Sequence, residues 1–461
     1  MERTLATQAV KKIGQKITVS GWVDSYRNHG KLVFVDLRDR SGLIQVVFYD
    51  DKIARDLRAE WVIEVEGLVK ERGKDYFNPK LETGRIEIEA KKVKVLAQAK
   101  ELPFPVRDDG RQINEEIRLK FRYLDLRRPR LLENLKLRHR VSQFIRHFLT
   151  ERGFLEVETP ILTKATPEGA RDFLVPSRLK PGSFYALPQS PQQYKQLLMV
   201  AGVDKYFQLA RCFRDEDPRA DRAYGEFTQL DLEMSFVSQE EIFSLTEHLF
   251  KEITEKILHK KIWQFPFPRL SYQEVMKKYK TDKPDLRPNK KDMDVLAFCF
   301  VVDFPLFEWK SQEKRWHSMH HPFTAPKEGE VALLDKDPGK IHSYQHDLVM
   351  NGFEVGGGSI RITDPLVQEK IFEILGHSKS AIKQKFGHLL QAFEYGVPPH
   401  GGIAPGIDRF LMAALNEPSL REVIAFPMTA SGQTSVMVAP TKVEKAQLEE
   451  LGIKLDIKKK K

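Results

Sequence analysis

FRDEDPRADRAYGEFTQLDLE, from Phe213 to Glu233, packs seven ionisable residues between Arg214 and Arg222 and follows them with strict alternation. Thr228, Leu230, Leu232, Met234 and Phe236 fall on one side of an extended chain. Phe227, Gln229, Asp231, Glu233 and Ser235 fall on the other. The preceding YFQLARCFR is mostly apolar, so the two runs fit an antiparallel hairpin with a charged tip. The chemistry that suits such a tip is binding of a nucleoside triphosphate. Arg214 offers a planar fork of donors for phosphate. Glu216 can accept from an amine such as that of adenine, and Arg219 and Arg222 can reach outer phosphates. The polar row of the second strand then floors a cleft. The plainer reading is a loop that salt-bridges itself in solvent.

Two further patterns favour the first reading. HGGIAPGIDRFLMAAL, from His400, reads as a Gly/Pro turn entering a helix, with Arg409 in the first turn. Backbone N–H groups and the positive dipole end favour anions there; the alternative is a helix capped at Asp408 with an incidental arginine. MNGFEVGGGSIRI sets three glycines in a strand, where a ligand or another backbone can come close. Glu354 and Arg361 flank them. Strict alternation sends these two to opposite faces, so one shared pocket requires a bulge.

The elements that must carry these groups can be read in outline. With 461 residues, 41% hydrophobic and 30% charged, the chain is expected to form two or three soluble domains. No apolar run is long enough for a membrane span, and MERTLATQAVKKIG lacks the apolar core of a signal peptide. Two cysteines, Cys212 and Cys299, in apolar surroundings fit core filler in a reducing, cytoplasmic setting. A net charge of +10 suits a polyanionic partner, whereas the terminal lysine run reads as a solvated tail. ITVSGWV, KLVFVDLRD, LIQVVFY, WVIEVEGLVKE and GRIEIEAKKVKVL give five strands, and hence an OB-type barrel in residues 1–100. Val33, Val35 and Leu37 face its core. Phe34 and Gln45 point outward, where a ring can stack on a base and an amide can read its edge. Residues 101–118 read as a hinge. Residues 119–461 mix helices and strands into an α+β domain on an antiparallel sheet, with helices at 131–153, Gln239–His259, Gln368–Leu375 and Ile407–Leu415.

In this order, GFLEVETPIL (153–162), FRDEDPRADRAYGEFTQLDLE and GIAPGIDRFLM resemble the three signature motifs of class II aminoacyl-tRNA synthetases. With the barrel, TPEGARDF, QSPQQYKQLLM, HHPFT and NGFEVGGGSIRI make the chain similar to the aspartyl-tRNA synthetases. YKTDKPDLR resembles their bacterial branch. The resemblance implies ligation of L-aspartate to tRNA(Asp) through an adenylate, with ATP and Mg²⁺, by a homodimer whose interface motif ends at Pro160. It further implies that Arg214 bridges the α-phosphate and the substrate carboxylate. Asp215 and Glu216 lie beside the nucleotide, and Arg409 holds the γ-phosphate with Gly406, Ile407 and Asp408 next to it. Asp347 and Glu354 hold the metal, and Lys195 and Arg361 clamp the aspartate side chain. Glu168, Gln192 and Asp231 surround its amino group. His320 closes over the substrate, with His321 in support. Two cations around a small pocket argue for an acidic substrate, since an amide leaves one charge unpaired.

By the same resemblance Phe34 and Gln45 meet anticodon bases. His29 points to charging of tRNA(Asn) as well, while Asp75 does not follow that relaxed pattern. Two departures stand out. TDKPDLR runs within a few residues into FVVDFPLFEW, so the domain that bacterial relatives insert there is expected to be absent. Ala223 stands where those relatives commonly have a glutamine that contacts ATP, in a loop (Ala223–Gly225) one residue longer. A tRNA-independent asparagine synthetase would lack the barrel. A non-catalytic, tRNA-binding paralogue would have lost Arg214, Glu354 or Arg409. A single-strand binding protein would leave some 340 residues without a use.

Overall fold

A computed structural model describes residues 2–49, 52–165, 169–222 and 224–456. The chain divides into two compact units after Pro105. In the first, β1 (Lys16–His29), β2 (Leu32–Asp39), β3 (Gly42–Tyr49), β4 (Val62–Glu71) and β5 (Ile86–Ala97) close a barrel in the order β1-β2-β3-β5-β4. Alternation builds its core. Val33, Val35, Leu37, Ile44 and Val46 are buried, while Phe34, Asp36 and Gln45 between them are half-exposed. Among the described residues no helix is long and apolar enough to cross a membrane. Neither cysteine forms a disulfide, and both are buried. Burial pushes the Cys299 thiol up to about 12, so it stays protonated.

The second unit is built on one eight-stranded sheet. Its strands are β6 (Leu155–Glu156), β7 (Lys205–Arg214), β8 (Gly225–Ser235), β9 (Arg269–Ser271), β10 (Phe298–Val302), β11 (Gln345–Met350), β12 (Phe353–Ile360) and β13 (His400–Pro405). They lie in the order β9-β10-β11-β12-β13-β8-β7-β6. The central pairs are antiparallel, but both edge pairs, β9 with β10 and β6 with β7, are parallel. The sheet is therefore mixed rather than wholly antiparallel. Three helices cover one face: α1 (Pro129–Thr150), α3 (Gln239–Glu252) and α5 (Ile407–Leu415). Their Val141, Ile145, Phe243, Phe250, Phe410 and Leu411 pack with Leu230, Leu232, Leu348 and Ile403 of the strands. The alternate residues of those strands point to the other face, toward α2 (Gln192–Val200). Helix α4 (Lys379–Phe393) lies beside α2.

Local chemistry sets the helix ends. Pro129 opens α1, and Gly153 turns the chain out at φ +79°. Ser238 and Glu241 cap α3 reciprocally. This helix stops at Glu252, short of the expected His259, because Ile253–Ile257 widen into a π-type turn. Phe236 leaves the apolar row of β8, standing 72% exposed at φ +54° after the strand ends at Ser235. In the loop after α5, Glu422 accepts from Arg118 at 2.7 Å and from Arg130 at 2.8 Å. Arg118 and Arg122 both pair with the fully buried Asp125. This network ties residues 118–130 to the loop that follows α5.

Two glycines are required by close approach. A Cβ on Gly358 would lie 2.6 Å from His346 Nε2 and 2.2 Å from the Gly402 carbonyl oxygen. A Cβ on Gly402 would lie 2.0 Å from the Leu232 oxygen and 2.4 Å from Glu233 Oε2. Gly402→Ala is expected to cost about 3 kcal/mol or more in urea unfolding; a cost under about 1 kcal/mol would show that the strands yield. Glu422 supplies a second test. Burial disfavours its charge, yet Arg118 and Arg130 hold its pKa down to about 2. A folded pKa below the unfolded value of about 4.3 stabilises the fold above that pH. The contribution is lost as pH falls toward 2. Glu422→Gln is expected to lower the unfolding free energy by roughly 3 kcal/mol at pH 7 and to flatten the acid limb in that window. An unchanged acid limb would remove Glu422 from the account.

Candidate active site

The buried strands β8 and β12 and helix α2 bring four charges together. Lys195, on α2, places Nζ 2.8 Å from Asp231 and 3.2 Å from Glu233, both on β8. Arg361, just after β12, donates from Nε and from one Nη to the two oxygens of Glu233, at 2.8 and 3.0 Å. Its other Nη donates to Ser359 Oγ at 2.7 Å and to His321 Nε2 at 2.8 Å. All four charged residues are at least 97% buried. Burial alone would neutralise Glu233, but Arg361 and Lys195 hold its pKa at about 2. Burial dominates at Asp231 and raises its pKa despite Lys195, and neither of its oxygens accepts an aligned hydrogen bond. Burial and Arg361 push His321 well below the ordinary histidine range, so it is neutral and accepts from Arg361.

The expectation of two bare cations is thereby corrected. Lys195 and Arg361 share the carboxylate of Glu233, so net charge alone does not select an acidic ligand. Glu233 was not among the residues expected at the site. Its signal was present, since it lies two residues after Asp231 in the polar row of β8.

A bulge aims Glu354 and Arg361 at one face. In the β11–β12 ladder Leu348 faces Gly356 while Val349 faces Glu354, so Val355 is an extra residue. One extra residue inverts the alternation that follows it. Glu354 thus stands near Asp347 of β11, and burial, then Asp347, raises its pKa. Asp347 is already engaged: Oδ1 accepts from Gln345 Nε2 at 2.8 Å, and Oδ2 lies 3.2 Å from His320 Nε2. Burial disfavours a charged His320 ring, but Asp347 outweighs it and raises the pKa. Among the described residues no three His, Cys, Asp or Glu side chains form a metal cage. Two crowded carboxylates fit a cation such as Mg²⁺, which takes its remaining ligands from phosphate oxygens and water.

Beside this lies an open cleft lined by Arg214, Glu216, Arg222, Phe227, Gln229, Glu354, Gly357, Gly406, Asp408 and Arg409. Arg214 sits over the Phe227 ring at 5.1 Å. Arg222 and Glu216 pair at 3.1 Å. Arg409 donates to the backbone oxygens of Asp221 and Glu354, at 3.0 and 2.8 Å. Asp215 accepts from Tyr224 at 3.2 Å and steadies the loop. Asp408 is spent on structure: one oxygen meets Arg138 and the other accepts from the Thr228 amide at 2.8 Å. Gly406 caps α5, and Ile407 is buried in the core behind it. Gln192 is buried with its Nε2 unpartnered. Glu168 and Ala223 lie outside the described residues. Pro160 is exposed just beyond the sheet edge. Phe34, Gln45, His29 and Asp75 all belong to the barrel unit. His29 packs edge-on to Phe34 with ring centres 5.8 Å apart, Gln45 donates to Glu87 at 3.1 Å, and Asp75 is exposed in a turn between β4 and β5.

Comparison with known proteins places this geometry. The model for tRNA synthetases class II (D, K and N) matches residues 114–430, and that for the OB-fold nucleic acid binding domain matches residues 17–96. A curated protein of Dictyoglomus turgidum named "Aspartate--tRNA(Asp/Asn) ligase" is 42% identical, with 96% of each chain covered. One of Bacillus licheniformis named "Aspartate--tRNA ligase" is 40% identical, covering 98% of this chain and 97% of its own. The first alignment runs over 575 positions, more than the 461 residues here, so over a hundred of them have no counterpart in this chain. Among solved structures, the asparaginyl-tRNA synthetase of Pyrococcus horikoshii shares the fold, with TM-score 0.75 and 23% identity over 93% of this chain and 98% of its own. A putative aspartyl-tRNA synthetase of Leishmania major gives TM-score 0.75 and 21% identity over 92% and 93%. A matching family model over two thirds of the chain, an anticodon-type barrel before it and relatives near 40% identity end to end lead to one conclusion: the chain belongs to the class II tRNA synthetases of the D, K and N family.

Proposed function

We propose that this chain is an aspartate–tRNA ligase that charges tRNA(Asp) and, as the names of several relatives suggest for them, tRNA(Asn) too. A carboxylate oxygen of aspartate attacks the α-phosphorus of ATP while the bond to pyrophosphate breaks. The terminal ribose hydroxyl of tRNA then attacks the acyl carbon of the adenylate, and AMP leaves. Neither step needs a protein nucleophile; orientation and charge stabilisation suffice. Arg214 lies where the α-phosphate and the carboxylate meet, and Arg409 holds the far phosphates. Asp347 and Glu354 are the residues that would hold Mg²⁺, which supplies charge neutralisation at phosphate oxygens.

The observation that carries the amino-acid assignment is the count of unused donors. Lys195 has three N–H bonds and lies 2.8 Å from Asp231 and 3.2 Å from Glu233, without an aligned hydrogen bond to Asp231. Arg361 has five and spends four on Glu233, Ser359 and His321. At least one donor remains on each. A carboxylate provides two acceptor oxygens for them, whereas a carboxamide provides one and adds donors of its own. An unmet buried donor costs about 1–3 kcal/mol, or about tenfold to a hundredfold in preference for aspartate over asparagine.

In the barrel, Phe34 and Gln45 are proposed to stack on and read anticodon bases, with His29 against Phe34 relaxing the choice of tRNA. Assembly as a homodimer is proposed through the edge strand β6 and Pro160, where Leu155, Ile161 and Leu162 are about half exposed. A cytoplasmic location is likewise proposed, in line with two buried cysteines that form no disulfide.

Aspartate-dependent ATP–pyrophosphate exchange is expected from the purified chain; its absence would end the proposal. Aspartylation is expected with transcripts of both tRNA(Asp) and tRNA(Asn), and failure with the second would confine the enzyme to the first. Lys195→Met is expected to raise KM for aspartate about a hundredfold while ATP affinity measured without aspartate stays within a few fold. An unchanged aspartate KM would contradict the donor count.

A further inference from the structure

The loop between β7 and β8 brings Glu216, Asp221 and Arg222 to the nucleotide cleft. Its side-chain pairs are open to solvent and weak: Arg222 meets Glu216 at 3.1 Å, and Arg219 meets Asp221 at 3.6 Å. Its tip is a tight turn. The Arg219 amide donates to the Arg222 carbonyl at 3.0 Å, and the Arg222 amide returns the bond at 3.3 Å. The two residues between them are tied outside the loop. The Asp221 carbonyl accepts from Arg409 Nε at 3.0 Å, and the Ala220 carbonyl accepts from the Leu420 amide, also at 3.0 Å.

Leu420 stands on a firmly held segment. It opens the 3-10 turn Leu420–Glu422 behind an extended Ser419. The buried Arg122 donates to the carbonyl oxygens of Arg421, Ile424 and Ala425, at 2.6, 2.8 and 2.9 Å. Asn134 donates to the Glu422 carbonyl at 3.1 Å, and Arg118 and Arg130 grip the Glu422 side chain. The Leu420 side chain is buried and lines the cleft with Glu216, Asp221 and Phe227. The two ties on the loop tip therefore differ in kind. Arg409 is a cleft side chain that must also serve phosphate. The Leu420 donor is main chain, fixed from behind, and bound nucleotide makes no demand on it.

We propose that Leu420 is a positioning residue for ATP: its amide latches the loop tip at Ala220 and keeps Glu216, Asp221 and Arg222 in the cleft before nucleotide arrives. The proposal rests on the functional reading above. A loop without the latch samples open positions, and apparent affinity falls with the fraction of molecules that are closed. One backbone hydrogen bond moves such an equilibrium about fivefold. The aspartate pocket on α2, β8 and Arg361 takes no residue from the loop tip, so its affinity is independent of the latch.

Leu420→Pro removes the N–H, and proline suits the first position of a helical turn after an extended residue. Leu420→Val loses similar side-chain volume but keeps the N–H, so the two variants differ chiefly in the latch. In ATP–pyrophosphate exchange, Leu420→Pro is expected to show a KM for ATP about fivefold above that of Leu420→Val, with equal KM for aspartate. Without nucleotide, trypsin should cut after the exposed Arg219 about fivefold faster in Leu420→Pro, and ATP should slow the cut in both. ATP constants and cleavage rates within twofold of each other would overturn the proposal, as would an equal rise in the aspartate KM. Hydrogen exchange in the parent needs no substitution and decides the matter if Leu420→Pro does not fold. The Leu420 amide is expected to be protected without ATP, and exchange at the rate of a free amide would refute the latch. Exchange activity in the parent separates these failures from failure of the reading beneath them.

Discussion

A carboxylate buried between two cations governs this molecule. Glu233 has no access to solvent and stays ionised only because Arg361 and Lys195 face it from two different elements. Remove either cation and a charge is stranded in the interior. The arrangement fixes the distance between α2, β8 and the end of β12, which come from sequence positions near 195, 233 and 361. It also leaves at least one donor on each cation, and that remainder is what a ligand meets. The two cations are thus partly offset before a ligand arrives, and the direction of their remaining donors adds to the selectivity of the pocket.

Space for that carboxylate is made by its neighbours. Gly402 lies directly beside Glu233 and Gly358 beside His346, and neither position has room for a methyl group. The bulge at Val355 is equally structural in origin. It sits where β12 must keep pairing with β11 and β13 while turning Glu354 toward Asp347. Packing on the helical face and chemistry on the other are therefore not independent. A strand that slipped by one residue would exchange Leu232 for Glu233 in the core.

The nucleotide cleft is organised differently. Its charges are half-exposed, and they are held by backbone oxygens and short-range pairs. Arg409 is fixed by two carbonyls, and Arg222 is matched to Glu216. Such contacts are individually weak in solvent and can be exchanged for phosphate at little cost. Asp408 instead works behind the site, pinning the start of α5 to β8 and α1. The triplet Ile407–Asp408–Arg409 thus divides its labour between core, scaffold and cleft.

Much was legible in the sequence. Period-two alternation gave the five barrel strands and the two faces of β8, because a half-buried strand must alternate. Helix boundaries followed wherever a cap or a glycine declared them. Charged residues clustered at a hairpin tip fell on the cleft, although a solvated loop pairing with itself gives the same kind of run. Three things required the folded chain. Sharing of Glu233 by Lys195 and Arg361 depends on which buried groups end 2.8–3.2 Å apart, and no local rule states that. The inverted alternation after Val355 depends on a ladder with β11. The parallel edge pairs depend on where distant segments dock. Local backbone sterics and solvent set the elements, but pairing of buried charge is a contest among residues far apart in the chain, and only the packed interior decides it.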